Sequence, residues 1–109
     1  MPPETFYDLP TIYAKRAKLG KLYHEFLRVP AMSAGVYVLA AGATDPQKPH
    51  HQDELYYVVR GRAKMRVASE EQVVKAGSVI FVPAKVEHLF FDVAEELEVL
   101  VFFAPAESE

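Results

Sequence analysis

Two of the chain's four histidines stand side by side in PHHQDELYYVVRG (49 to 61), just ahead of an acid pair and an apolar run. If this stretch enters a strand, residues two apart share a face. His50, Gln52, Glu54 and Tyr56 then point one way, into the interior if Val58 is core. His88, in PAKVEHLFFDV, opens a later strand directly after a proline-containing turn. Two imidazoles and a carboxylate form a facial set for a divalent first-row metal such as Fe, Mn, Ni, Cu or Zn, with positions left free for water, substrate or oxygen. There is no cysteine, so thiolate ligands, disulfides and cysteine nucleophiles are excluded and any metal is held by nitrogen and oxygen. Taken singly, His50 or His51 reads more simply as a surface loop histidine, and His24 as an ordinary strand residue. The joint spacing with Glu54 and His88 is what points to a metal.

These side chains must be positioned by short strands, because the apolar residues occur in brief runs bounded by Gly, Pro and charge clusters. LYHEFLRV (22 to 29) and GVYVLAAG (35 to 42) read as one hairpin, and LYYVVRG (55 to 61) and AKMRVA (63 to 68) as another turning at Gly61. VVKAG, SVIFVP, HLFFDV and LEVLVFFAP follow, which makes about eight strands. Only YDLPTIYAKRAKLGK has room for a helical turn or two, limited by Pro10 and Gly20. So many short strands in a small chain favour an all-β closed barrel or jelly roll, which removes sheet edges. The terminal PAESE is expected to fray.

The spacing of the polar residues resembles the two motifs of the cupins. Gly42 is followed by five residues, Lys48, Pro49, His50, three residues, Glu54, six residues and Gly61. After fifteen intervening residues, Gly77 is followed by five residues, Pro83, Ala84, Lys85, two residues, His88, three residues and Asp92. The resemblance spans about 35 to 104 and implies the double-stranded β-helix (jelly-roll) barrel of small single-domain microbial cupins. It makes 1 to 109 one domain with an N-terminal extension over 1 to 20. The ligands it implies are His50 and Glu54 from the first motif and His88 from the second.

Lys48 stands where the family has its first histidine, and a protonated lysine has no lone pair to give and is repelled by the ion. Two substitutes are open: His51, turned inward by a bulge, or the carbonyl oxygen of Gln52. Lys85 replaces a glycine, which a left-handed turn residue would prefer to be. Tyr37, Tyr56, Phe81, Phe90 and Phe102 are candidates for the substrate wall beside Gln52, although aromatic residues at strand spacing are usually core. His51 and Glu87 are candidate proton carriers.

The resemblance implies a metal-binding cupin acting on a small organic molecule, with oxygenase-type chemistry as the leading expectation. A metal-dependent isomerase or decarboxylase, a non-catalytic ligand- or metal-binding module and a metal-free barrel are the alternatives. The net charge of -3 offers no basic face for nucleic acid. Arg60, Arg62, Lys64 and Arg66 share one strand face and read as the solvated side of a sheet. No apolar run reaches the roughly 18 residues a membrane span requires, and MPPETFYDLP lacks the features of a secretory signal, so a cytoplasmic protein is expected. A homodimer is expected by family resemblance, with LYHEFLRV offering an edge.

Overall fold

Buried and exposed side chains alternate along the two longest segments of the chain, and each segment becomes one continuous strand. The computed structural model describes residues 4 to 108. These form α1 (Leu9–Leu19), β1 (Tyr23–Val29), β2 (Met32–Leu39), β3 (Asp53–Val67), β4 (Glu70–Lys75), β5 (Val79–Val82) and β6 (His88–Ala104). The strands pair antiparallel in the order β1-β2-β6-β3-β4, with β5 also paired to β3. The chain is thus all-β apart from α1 and adopts the double-stranded β-helix, but its sheet is not closed by hydrogen bonds. β1 ends it on one side, and β4 and β5 on the other.

Six strands among the described residues replace the expected eight or so, because Gly61 is no hairpin turn. β3 runs straight through it at φ 95, and a Cβ there would lie 2.1 Å from the Glu96 carbonyl oxygen of β6. Only glycine permits that approach. Around it the β3–β6 register slips between Val58 and Arg60, Arg60 and Arg62, and Arg62 and Lys64. Such slips bend both strands, so the first half of β3 pairs with β5 and the second with β4. The final two runs of the sequence are likewise one strand, β6.

Along β3 the side chains of Glu54, Tyr56, Val58, Ala63 and Met65 are buried, and along β6 those of Phe90, Leu97, Val99, Val101 and Phe103. Burying each large apolar side chain contributes about 1.5–3 kcal/mol. The opposite face of β3 carries the basic series, answered by acids: Arg60 lies 3.6 Å from Glu98, Lys64 3.4 Å from Asp92 and Arg66 2.7 Å from Glu71. This is the solvated ladder that the sequence suggests.

Helix α1 is longer than a turn or two. Asp8 caps it by accepting from the Thr11 N–H at 3.2 Å, Pro10 falls in the first turn where its missing N–H costs nothing, and Gly20 closes the helix at φ 69. Ile12 is its buried contact. No helix among the described residues is long and apolar enough to cross a membrane.

The segment after β6 does not fray over its described residues. The Glu107 N–H donates to Ser33 Oγ at 2.9 Å, Arg28 Nη2 donates to the Glu107 carbonyl at 2.7 Å, and Gln52 Nε2 donates to Ser108 Oγ at 2.6 Å. These bonds tie residues 107 and 108 to β1, β2 and the loop that leads into β3.

Candidate metal centre

Glu54 is the second residue of β3, His50 lies four residues before it in the incoming loop, and His88 is the first residue of β6. One ligand atom from each lies within 4.8 Å of the other two. His88 Nε2 is 3.2 Å from Glu54 Oε1, and His50 Nε2 is 3.9 Å from the same oxygen. Glu54 and His88 are buried, yet both Glu54 oxygens and His50 Nε2 lack a well-aligned hydrogen-bond partner among the described residues. Buried carboxylates without partners are costly, so this arrangement suits an ion between the three groups.

The orientation of His88 follows from its other nitrogen. Nδ1 lies 2.9 Å from the Val86 carbonyl, which can only accept, so a proton on Nδ1 is satisfied there when a metal takes the Nε2 lone pair. Nε2 faces two more acceptors, Glu54 Oε1 and Gln47 Oε1, each at 3.2 Å. Three acceptors converge on a point that calls for a cation, either a proton or a metal. Burial opposes a charge on His88, but the Glu54 carboxylate, the Val86 carbonyl and Asp45 outweigh it and leave the ring more basic than ordinary histidine.

Gln47 is turned inward by a network anchored on buried Asp45. Asp45 accepts from the Tyr37 hydroxyl at 2.5 Å, from Gln47 Nε2 at 2.8 Å and from the Phe90 N–H at 2.9 Å. With its Nε2 committed, the Gln47 amide presents Oε1 to the Tyr56 hydroxyl at 2.6 Å and to His88. Lys85 takes the left-handed conformation at φ 66 despite not being glycine, and its N–H donates to the His50 carbonyl at 2.6 Å. That turn fixes the backbone of a candidate ligand.

The structure brings His50, Glu54 and His88 together, and leaves His51 out. Burial alternates without a bulge from 50 to 54, so His51 is exposed. Gln52 is buried with its Nε2 on Ser108 and its Oε1 without a partner among the described residues, and it is the Gln47 carbonyl oxygen that faces His88. Lys48 and Glu87 are exposed. His24, on β1, pairs with Val36 of β2, apart from the cluster.

A cavity of about 260 Å³ opens onto the cluster, walled by Tyr23, Tyr37, Tyr56, Val101 and Phe103, with His50, Glu54, Gln47 and Glu107 supplying polar groups. Tyr37 and Tyr56 line this cavity. Phe81 does not: it is exposed on the outer side of β5. Phe90 packs behind Tyr56, ring centroids 5.1 Å apart. Phe102 points outward by strand parity, and its neighbour Phe103 meets the His50 ring at 4.9 Å instead.

Tyr23, Gln47, Asp45 and Glu107 escape a motif-based reading. Tyr23 belongs to the opposite sheet edge, and its ring occupies space that a Cβ on Gly35 would fill, 2.4 Å away. Its hydroxyl is buried without a partner among the described residues. Burial and the nearby Glu107 push that phenol's pKa up, which keeps it protonated and able to donate. Among the described residues the wall carries two carboxylates and no lysine or arginine, which favours a cation.

Comparison with known proteins agrees with this architecture. The Cupin_2 family, a cupin domain, matches residues 35–103. An uncharacterized protein of Streptomyces coelicolor, SCO3923, is 50% identical over 102 residues, covering 94% of this chain and 97% of its own. The crystal structure of TT1209 from Thermus thermophilus superposes with a TM-score of 0.73 at 25% identity, over 94% of this chain and 99% of that one. An RmlC-like cupin family protein with a double-stranded β-helix fold, from Methanocaldococcus jannaschii, gives 0.69 at 20% identity, over 76% and 78% of the two chains. With its fold, its motif spacing and its matched residues in agreement, the chain belongs to the cupins.

Proposed function

We propose that this cupin holds a divalent first-row transition ion on His50, Glu54 and His88 and acts on a small organic molecule bound in the adjoining cavity, with an oxygen-dependent reaction as the leading chemistry. The observation that carries the reading is the buried His88 Nε2 facing two oxygens at 3.2 Å, beside a buried carboxylate that has no aligned partner. A bound ion would supply Lewis-acid or one-electron chemistry to a ligand's oxygen atom. The protein's own groups do the rest. Tyr56, fixed by Gln47, and Phe103 wall off bulk water, and the free Tyr23 hydroxyl donates to a polar atom of the ligand. Elemental analysis of tag-free protein tests the reading. About one ion per chain is expected, and none after reconstitution rejects it. An assay with and without oxygen separates oxygenase chemistry from isomerisation or decarboxylation at the same ion.

The protonation of His88 sets a pH dependence. A proton on Nε2 competes with the metal, and the ring is more basic than the ordinary value of 6.5. Affinity is therefore expected to fall as pH drops, beginning above 6.5. In the metal-free chain the sign reverses: the raised value contributes stability that is fully present below about 6.5 and is lost as pH rises through the folded value. The gain in melting temperature on adding metal should thus grow with pH across this window. A gain independent of pH speaks against histidine ligation.

A homodimer in a cytoplasmic setting completes the proposal. β1 is an open edge, and Leu55, Tyr57, Val79 and Phe81 expose an apolar face on β3 and β5. Light scattering is expected to give twice the chain mass, and a clean monomer at micromolar concentration rejects the dimer.

A further inference from the structure

We propose that Glu107 is a positioning residue that fixes the tautomer of His50, so that the segment after β6 is a working part of the site. The role rests on the ligand set proposed above. Glu107 Oε2 lies 3.1 Å from His50 Nδ1. An ionised carboxylate can only accept, so the neutral His50 ring places its proton on Nδ1. The lone pair is then left on Nε2, the buried atom without a partner that faces Glu54 at 3.9 Å. His88 is oriented in the same way, with the Val86 carbonyl as its acceptor at 2.9 Å. Both imidazoles thus turn Nε2 toward the common centre, one held by backbone and the other by a side chain.

The carboxylate is held in place by bonds that do not involve it. The Glu107 N–H donates to Ser33 Oγ, its carbonyl accepts from Arg28 Nη2, and the next residue accepts from Gln52. Ser33 is fully buried in β2, so the anchor is part of the barrel wall. Arg28 is itself held by Glu25 at 2.8 Å. Gln52 thereby gains a purpose: it clamps this segment from the loop that carries His50. Partners of this kind orient the ring of a ligating histidine and raise its basicity, and losing one costs about 10- to 100-fold in metal affinity.

The test uses chain labelled with 15N-histidine, stripped of metal and examined at a pH where the rings are neutral. Long-range proton–nitrogen spectra should show His50 protonated at Nδ1. Glu107→Ala and Glu107→Leu should shift it toward the Nε2-protonated form and weaken metal binding about tenfold or more in chelator competition. Glu107→Gln, whose amide oxygen still accepts, should restore most of both. Melting curves confirm that the variants are folded, and the leucine variant preserves the stem's packing. Wild-type tautomer and affinity in the alanine or leucine variant would overturn the proposal, as would a glutamine variant as impaired as alanine. If the wild type binds no metal at all, the ligand set falls. The tautomer shift alone then decides the role of Glu107.

Discussion

Metal binding should be lost when His88 is replaced by alanine or glutamine, and equally when Glu54 is replaced by alanine. A four-ligand structural zinc site is worth about 10–16 kcal/mol, so one ligand is worth about 3 kcal/mol, or about a hundredfold in affinity. The loss at His88 should be of this size, with Glu54 and His50 left as the remaining ligands. The substitutions separate ligation from folding. His88→Ala opens a hole in a buried position, whereas His88→Gln fills it and should melt close to wild type.

Glu54→Gln sharpens the test further. It should weaken metal binding, yet leave the metal-free chain as stable or more so at a pH where His88 is neutral, since a buried carboxylate without aligned partners is replaced by a neutral amide. Opposite signs for affinity and stability are the mark of a ligand, while a structural residue would lose both. Chelator competition and thermal melting of the same samples decide it. Wild-type metal content in either His88 variant would remove His88 from the ligand set.

Fold and candidate site were legible in the sequence to different depths, for physical reasons. Period-two burial and turn spacing suffice to bring His50, Glu54 and His88 into register, because each lies on or beside a strand whose parity is fixed by its apolar neighbours. Gly61 reads as a turn because glycine marks both turns and close approaches. Only the Glu96 backbone across the sheet shows that it serves the second purpose. Parity predicts the outward turn of His51 and misses the inward turn of Gln47, which lies before β3 begins at Asp53 and obeys hydrogen bonding instead. Phe81 and Phe102 fail as wall residues for the opposite reason: they are on strands, and their parity faces outward. Glu107 had no local signal at all. Its contacts reach Arg28, Ser33 and His50, all more than fifty residues away, and a segment of polar and small residues gives no hint of them.

The position of Gln47 changes what should restore a fourth strong ligand. Motif spacing points to Lys48, and a Lys48→His substitution would tighten binding if residue 48 shared the inward face of His50. Lys48 is exposed, however, and it is Gln47 whose Oε1 lies 3.2 Å from His88 Nε2. An amide oxygen is a weaker donor to late first-row ions than imidazole. Gln47→His should therefore tighten binding by about tenfold or more, with one full ligand's worth, about a hundredfold, as the ceiling. Lys48→His and His51→Ala should change it little.

The gain comes with a stability loss that the network predicts. Gln47 is the acceptor for the Tyr56 hydroxyl and a donor to Asp45, and a buried group left unsatisfied costs about 1–3 kcal/mol. The Gln47→His chain should melt below wild type without metal and recover in its presence, because binding to the folded state alone stabilises it. Tighter binding by Lys48→His with none by Gln47→His would mean that the loop enters β3 one residue out of step with the register described here. Either result comes from one titration series against a chelator, and it fixes which side chain stands where the cupin motif places its first histidine.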